Sequence, residues 1–265
     1  MELEIEPYLK RIGYEGPLTT NADTLNNLQT IHMMAVPFEN LDITLGVPIM
    51  LDHEAIFEKV VRSERGGFCY ELNGMLALLL KGLGYRVGHY AARVFGNGVF
   101  GHEFDHMCLR VDLDEPLLVD VGFGDSFIKP LRLVHDYQDQ QRGITYRLEQ
   151  SGELWTVHKR KPDEDWQIMY RFPDRIRAFH EFEPGCHYHQ TSDDSSFTRK
   201  TVCSLLTKNG RVTYANGRLI ETLDGRRIES DVEDLETCLT LLEQRFGVNL
   251  DRSLPLQKLL HPAGV

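Results

Sequence analysis

The sequence lacks the long apolar runs that a membrane-spanning helix needs. No stretch approaches the roughly 18 consecutive apolar residues that cross a bilayer. An excess of basic residues is also missing, because the formal net charge is −11. A broad nucleic-acid-binding surface and an anionic membrane face both require a basic footprint, so neither nucleic acid nor membrane is expected as a partner. A small polyanionic cofactor stays compatible, since one local pocket can oppose the overall charge.

Cysteines are few and follow no regular spacing. The five, at positions 69, 108, 186, 203 and 238, are odd in number and widely scattered, which argues against a disulfide framework. The first six residues, Met-Glu-Leu-Glu-Ile-Glu, are acidic where a signal peptide would be basic and then apolar. We therefore expect a cytoplasmic protein in which at least one thiol is free.

The apolar residues that are present change their period near residue 85. Before it, helical spacing predominates, and residues 69–82 give the clearest predicted helix, with one buried face made of Leu72, Met75, Leu76, Leu79 and Leu80. From Tyr85 the period becomes two, which predicts strands in an antiparallel sheet or small barrel. The predicted strands are Tyr85–Phe95, Met107–Val111, Leu117–Phe123, Ile144–Leu148, Leu154–His158 and Trp166–Phe172.

The last third of the chain reads as a smaller mixed unit. Residues 174–200 show neither period and are predicted to be irregular. Three alternating runs then predict strands, with Asn216-Gly217 as a tight hairpin turn, and Ser230-x-x-Glu233 matches a capping box that predicts a helix to about Phe246. The order of helices, antiparallel strands and a mixed unit predicts an α+β fold.

Cys69 is the candidate nucleophile. It follows Arg65-Gly66-Gly67-Phe68 and opens the predicted helix, where unpaired N–H groups and the positive end of the helix dipole favour a thiolate. The two glycines would let the backbone pass close to a substrate. A small buried core cysteine is the competing interpretation, and the sequence around Cys69 makes the two about equally good.

A cysteine nucleophile needs a base, and the base needs a group that orients it. If Asp112-Leu113-Asp114 is a three-residue hairpin loop, His106 pairs directly with Asp120 across two strands, close enough for the carboxylate to hold the imidazole. His106 and Asp120 then share one face of the sheet, while the apolar residues share the other, which supports this register. Other carboxylates compete, at positions 105, 112, 114 and 125, and a purely structural His–Asp pair stays a possible interpretation.

Two histidine-rich patterns resemble metal sites without meeting their requirements. The segment from His102 to His106 matches H-E-x-x-H, but that motif needs both histidines on one face of a helix. Glycines precede it and a strand pattern follows, so no zinc site is predicted, and His102 is expected to face solvent. The cluster of His180, Cys186, His187 and His189 has no tetrahedral ligand spacing.

The chain resembles the arylamine N-acetyltransferase family in three ordered motifs. Residues 65–74, Arg-Gly-Gly-Phe-Cys-Tyr-Glu-Leu-Asn-Gly, resemble its nucleophile segment, and residues 37–41, Pro-Phe-Glu-Asn-Leu, resemble a second segment upstream. Residues 119–124, Val-Asp-Val-Gly-Phe-Gly, resemble the segment that carries the triad aspartate, and His106 matches the triad histidine. The resemblance covers roughly residues 1–130.

The resemblance implies a fold of three parts: an N-terminal helical bundle (1–84), a central antiparallel β-barrel (85–190) and a connecting segment with a C-terminal α/β lid (191–265). The first two parts would be arranged as in papain-like thiol enzymes. Cys69, His106 and Asp120 would be the catalytic triad, with Glu39 and Arg65 as a buried pair beside it. The aromatic substrate pocket would be lined by Phe38, Phe68, Phe123 and Phe197.

The resemblance also implies acetyl-CoA as the donor, arylamines or arylhydrazines as acceptors, and no metal. In the expected ping-pong mechanism, Cys69 carries the acetyl group between donor and acceptor. The glycine-rich loop with Gly98 and Gly101 would offer N–H groups to the coenzyme's pyrophosphate, or would be an ordinary hairpin turn. The main alternative is a cysteine hydrolase, an amidase or peptidase, that uses the same triad with water as acceptor. A non-catalytic binding protein is a further alternative.

Overall fold

The computed structural model describes residues 4–260. Residues 1–3, part of the acidic N-terminal stretch, and residues 261–265 lie outside that range. Within it, no helix combines the length and the apolar character that a bilayer crossing requires.

The N-terminal part is helical, as its period predicted. It contains α1 (Ile5–Ile12), α2 (Ala22–Ala35), a two-residue strand β1 (Phe38–Glu39), α3 (Leu41–Leu45), α4 (His53–Phe57) with a π-helical turn (Glu58–Arg62), and α5 (Cys69–Gly82). Asn21 and Asp52 cap α2 and α4 by accepting N–H groups of the first turn. The apolar side chains of α5 are buried almost without exception, so α5 forms the centre of this core.

The middle of the chain forms a ten-stranded antiparallel sheet that makes a nearly closed barrel. Its strands are β2 (Arg86–Gly96), β3 (Val99–Phe100), β4 (His106–Asp112), β5 (Pro116–Val119), β6 (Leu131–Arg132), β7 (Gln138–Gln141), β8 (Ile144–Ser151), β9 (Leu154–Arg160), β10 (Gln167–Pro173) and β11 (Ile176–Arg177). Hydrogen-bonded neighbours follow the order β6-β5-β4-β2-β10-β9-β8-β7, and β3 and β11 pair with β2. The alternating period therefore predicted the antiparallel sheet and six of its ten strands. The short strands β3, β6, β7 and β11 were missed, and β5 ends at Val119 rather than at the predicted Phe123.

The C-terminal part holds a second antiparallel sheet. A 3₁₀ turn (Phe179–Phe182) leads into α6 (Glu183–Thr191) and α7 (Ser196–Arg199), followed by β12 (Val202–Thr207), β13 (Gly210–Ala215), β14 (Arg218–Leu223), β15 (Arg226–Asp231), α8 (Leu235–Phe246) and a last 3₁₀ turn (Leu256–Leu259). The sheet order is β1-β12-β13-β14-β15. The hairpin at Asn216-Gly217 is confirmed, because both residues have positive φ and Ala215 pairs with Arg218.

Two predictions in this part were wrong. Residues 183–191 form the helix α6 inside a segment that was predicted to be irregular. Ser230 does not cap a helix, because it lies in β15 opposite Leu219, and Asp234 caps α8 by accepting the N–H of Thr237. The Ser-x-x-Glu pattern is as compatible with an exposed strand as with a helix start. Here pairing with β14 makes this segment a strand.

The β4–β5 hairpin has a register that differs by two residues from the predicted one. Asp112 pairs with Pro116 and Leu109 with Val119, so the loop is residues 113–115. Because side chains alternate with a period of two, a two-residue shift leaves every side chain on its predicted face. His106 and Asp120 therefore remain on one face, although they are no longer direct cross-strand partners.

The strand β1 lies between the last and the first parts of the chain. On one side Phe38 pairs with Ser204 and Glu39 with Cys203 of β12. On the other side the Glu39 N–H donates to the Gly67 carbonyl at 2.9 Å, two residues before Cys69. Contacts thus cross the expected boundaries, and the division into 1–84, 85–190 and 191–265, the lid role and the papain-like arrangement stay predictions.

Candidate active site

Cys69 is the first residue of α5, and the backbone before it is held tightly. The Phe68 N–H donates to Glu71 Oε2 at 3.1 Å, which satisfies one N–H group at the start of the helix. A Cβ atom on Gly66 would lie 2.0 Å from the Pro37 carbonyl, and one on Gly67 would lie 2.7 Å from Glu71 Oε2. The two glycines therefore let the chain pass β1 and Glu71, a structural need that the sequence did not reveal.

His106 and Asp120 form a buried hydrogen-bonded pair. His106 Nε2 lies 2.8 Å from Asp120 Oδ2, which also accepts the Tyr170 hydroxyl at 3.0 Å. Asp120 Oδ1 accepts the Asn73 side-chain amide and the Gly122 N–H, each at 2.9 Å. Each carboxylate oxygen thus has two donors. The pair fixes the imidazole ring by Nε2 and leaves Nδ1 as the nitrogen for proton transfer.

The loop after β5 brings this pair to the start of α5. A Cβ atom on Gly122 would lie 2.6 Å from the Cys69 Cα, so the two backbones are in direct contact. Asn73, one turn after Cys69, accepts the Val121 N–H at 3.0 Å and donates to the Met107 carbonyl at 2.6 Å. These side-chain bonds replace ladder bonds beyond Val119, which explains why β5 ends before Asp120. The structure thus brings the segment that carries Asp120, the partner of His106, against the helix start at Cys69.

The Cys69 side chain is almost fully enclosed, with 3% of its surface exposed. Burial raises the pKa of its thiol well above the usual range, a backbone hydrogen bond with Met107 opposes this, and the carboxylates of Asp120 and Asp105 add to it. Burial thus opposes the contribution of the helix start, and the thiolate form of Cys69 stays a prediction. A base must remove this proton before the sulfur can react.

A chain of buried charges connects the first turn of α5 to β1. Arg65 donates to Glu39 Oε1 and to Asp42 Oδ1, each at 2.8 Å. Lys59 lies 2.7 Å from Asp42 Oδ2 and 2.8 Å from Glu71 Oε1. Burial opposes the charge of Lys59, but the surrounding carboxylates, led by Glu71, outweigh it and raise the pKa of the ammonium group. Of these residues, the sequence indicated only the Glu39–Arg65 pair.

The four predicted pocket phenylalanines fall into two groups. Phe197 contacts Phe38 and Phe68, with ring centroids 6.3 and 5.7 Å apart. Phe123 contacts His106 instead, with ring centroids 5.3 Å apart. Aromatic rings therefore border both Cys69, through its neighbour Phe68, and His106, which suits a flat apolar ligand.

Gly98 and Gly101 have clear structural roles in the β2–β3 hairpin. Asn97 and Gly98 both have positive φ, as a two-residue hairpin turn requires. The Gly101 N–H already donates to the Val94 carbonyl at 2.8 Å, and a Cβ atom there would lie 2.2 Å from Asp105 Oδ2. The ordinary-turn interpretation accounts for both glycines, and contact with a coenzyme stays a prediction.

The sequence missed Asn73, Tyr170 and Glu71 as parts of the site. Asn73 could have been found, because it is four residues after Cys69 and thus on the same helix face. Tyr170 could not, since only the pairing of β10 with β2 brings it to Asp120. The H-E-x-x-H residues before His106 lie in a loop, with β4 beginning at His106 itself.

Comparisons with known proteins find similarity over most of this chain. The family model described as N-acetyltransferase matches residues 21–254. The arylamine N-acetyltransferase of Escherichia coli K12 is 31% identical over 92% of this chain and 88% of its own length, and a pineal gland isozyme from Gallus gallus is 30% identical over 95% and 96%. The structure of the Mycobacterium marinum arylamine N-acetyltransferase in complex with CoA superposes with a TM-score of 0.89, at 30% identity over 97% of both chains.

Proposed function

This chain belongs to the arylamine N-acetyltransferase family, and we propose that it moves an acetyl group from acetyl-CoA through a Cys69 thioester to the nitrogen of an arylamine or arylhydrazine. The observation that carries this proposal is the His106–Asp120 pair at the start of the helix that begins with Cys69. The named relatives support the acetyl transfer, and the CoA complex of the M. marinum enzyme supports acetyl-CoA as donor.

In the first half of the proposed reaction, His106 Nδ1 takes the proton of the Cys69 thiol, and Asp120 stabilises the resulting imidazolium through Nε2. The thiolate attacks the thioester carbonyl of acetyl-CoA. Unpaired backbone N–H groups of the first turn of α5 stabilise the oxyanion. The bond between the carbonyl carbon and the coenzyme sulfur then breaks, and His106 returns its proton to the departing CoA thiolate.

In the second half, the amine attacks the acetyl-Cys69 carbonyl and His106 takes the proton that the nitrogen loses. The carbon–sulfur bond breaks, and His106 passes this proton to the departing Cys69 thiolate, which regenerates the thiol. Phe38, Phe68, Phe123 and Phe197 are proposed to hold the aromatic ring, because they border the nucleophile and the base. The reaction is placed in the cytoplasm, where Cys69 and the other four free thiols stay reduced.

The test is intact-protein mass spectrometry after brief incubation with acetyl-CoA and no acceptor. We expect one added acetyl group, mapped to Cys69, that disappears when an arylamine is supplied. Cys69→Ala should take up none, whereas Cys203→Ala, which removes another buried thiol, should behave as the wild type. If the wild-type protein forms no adduct and releases no CoA, the proposal is wrong. If the adduct is lost to water as fast as to amine, the hydrolase alternative holds.

A further inference from the structure

A second buried histidine, His189 on α6, makes three polar contacts that the proposed reaction does not use. Its Nε2 lies 3.1 Å from the Asp105 carbonyl oxygen and 3.2 Å from Asp105 Oδ1. Its Nδ1 lies 3.1 Å from Ser195 Oγ. Because both partners of Nε2 are acceptors, Nε2 carries the proton in the neutral ring, and Nδ1 accepts the Ser195 hydroxyl.

These contacts tie together segments that are far apart in the chain. Asp105 lies immediately before His106, and its other carboxylate oxygen accepts the Val94 N–H of β2 at 3.2 Å. Ser195 caps α7, with its Oγ accepting the Phe197 N–H at 3.2 Å. His189 thus connects the loop before the proposed base to the first turn of the short helix that carries Phe197.

The same histidine also contacts the aromatic rings beside the nucleophile. Its ring centroid lies 5.1 Å from that of Phe197 in an edge-to-face arrangement, and 6.0 Å from that of Tyr70. The Tyr70 hydroxyl in turn donates to the Phe104 carbonyl at 2.6 Å, which holds the Tyr70 ring beside His189. Phe197 is half-buried on a helix of four residues: its carbonyl accepts the Asn40 side-chain amide at 2.9 Å, its ring contacts Phe38 and Phe68, and His189 adds a restraint from α6.

We infer that His189 is a positioning residue for acceptor selection, which acts through Ser195 to fix the ring of Phe197 against Phe68, the neighbour of Cys69. The inference rests on the proposed function, because it assigns the aromatic ring of the acceptor to the space beside Phe197. With the His189–Ser195 bond intact, Phe197 stays against Phe68 and favours small aromatic amines. Without it, the ring of Phe197 gains freedom, small amines lose a contact, and large amines gain room.

The experiment measures how fast pre-formed acetyl-Cys69 enzyme is deacetylated by aniline, a small acceptor, and by 2-aminofluorene, a large one. The quantity of interest is the ratio of the two rate constants, large over small. This ratio is independent of the fraction of folded enzyme, so a variant that folds poorly still gives an answer. His189→Gln keeps a hydrogen-bond donor for Asp105, and Ser195→Ala keeps the whole imidazole ring. Both variants remove the hydrogen bond between His189 Nδ1 and Ser195 Oγ.

We expect both variants to raise the ratio about tenfold, the size of effect that a single lost contact in an apolar pocket produces. His189→Asn, whose amide can reach Ser195 from the position of Nδ1, should bring the ratio back toward the wild-type value. His187→Gln, an exposed histidine on the same helix, is the matched control and should leave the ratio unchanged.

The inference is overturned if both variants keep the wild-type ratio or lower it while their Cys69 is still acetylated by acetyl-CoA. That result would leave the proposed function standing. If wild-type Cys69 takes up no acetyl group at all, the proposed function itself fails and the inference fails with it. The two failures are therefore distinguishable in one series of measurements.

Discussion

Two buried polar clusters flank Cys69 and differ in their chemistry. The first, on the side of β1, consists of three carboxylates and two cations joined by ion pairs: Glu39, Asp42, Glu71, Lys59 and Arg65. The second, on the barrel side, contains one carboxylate, Asp120, whose partners are an imidazole, an amide, a phenol and a backbone N–H. The first fixes the backbone that presents the thiol, whereas the second holds a group that can gain and lose a proton.

The comparison shows that buried polar groups beside Cys69 can serve either structure or proton transfer. Three carboxylates that share two cations are held in place by ion pairs, and removing a cation leaves a buried carboxylate without its partner. A single carboxylate with mostly neutral donors fixes a histidine by one nitrogen and leaves the other for chemistry. Changes in the first cluster should therefore affect folding, and changes in the second should affect turnover.

The largest expected effect comes from Asp120→Asn. The substitution preserves size but reverses one hydrogen bond, so the imidazole is held in the wrong tautomer and its cation is not stabilised. In a serine-protease triad the equivalent change lowers kcat by about 10⁴-fold, and we expect a loss of about 10³–10⁴-fold in kcat/KM here. The measurement is steady-state acetylation of an arylamine. Asp114→Asn, in the exposed hairpin loop, is the matched control and should be fully active.

Arg65→Met should act on stability instead. It leaves Glu39 and Asp42 buried with one cation fewer, and breaking a buried pair in this way costs about 3–5 kcal/mol in the free energy of unfolding. Urea denaturation measures the loss. Arg62→Met, which breaks exposed ion pairs with Glu4 and Glu58 and a contact with the Phe57 ring, should leave the urea midpoint close to the wild-type value.

The contrast between the clusters would be refuted if Arg65→Met were as stable as the wild type but inactive, or if Asp120→Asn were active but unstable. Replacing Glu39, Asp42 and Arg65 together by apolar residues of similar size should cost less than Arg65→Met alone, because no charge is then left without a partner.

The smallest effect concerns His89, a buried histidine on β2 that serves as a reference for His106. Burial lowers the pKa of His89 from 6.5 to about 4. The unfolded chain therefore binds a proton that the folded protein does not, so stability falls as pH drops from about 6.5 toward 4. The contribution reaches about 2 kcal/mol at pH 5. His89→Gln should flatten the pH dependence of the urea midpoint by this amount, and an unchanged slope between pH 7.5 and 5 would contradict it.

The sequence predicted the site better than it predicted the contacts that build it. Helical spacing placed Cys69 at the start of α5, and alternation placed His106 and Asp120 on one sheet face. The register was wrong by two residues because alternation cannot distinguish shifts of two, and the actual loop contains Leu113, Asp114 and Glu115. The alternation of side chains was by itself sufficient to place His106 and Asp120 on the same face.

Other features could not be predicted from local patterns. The helix α6 was missed because Pro184 and Gly185 interrupt its apolar spacing, although proline is well tolerated in a first turn. The ion pairs of Lys59 with Asp42 and Glu71 depend on how the π-helical turn lies against α5, and no spacing in the chain reveals that. Long-range placement, rather than propensity, decides these cases.

The two-sided pairing of β1 has a consequence for the timing of synthesis. Phe38 and its partner Ser204 are separated by 166 positions, whereas Gly67 on the other side emerges from the ribosome soon after Phe38. A growing chain folds its N-terminal part first. One edge of β1, the strand beside the nucleophile, therefore stays unpaired until β12 has been translated. The chain must therefore be made as far as Thr207, the end of β12, before the surroundings of its thiol are complete, and chains released earlier would expose that edge to one another.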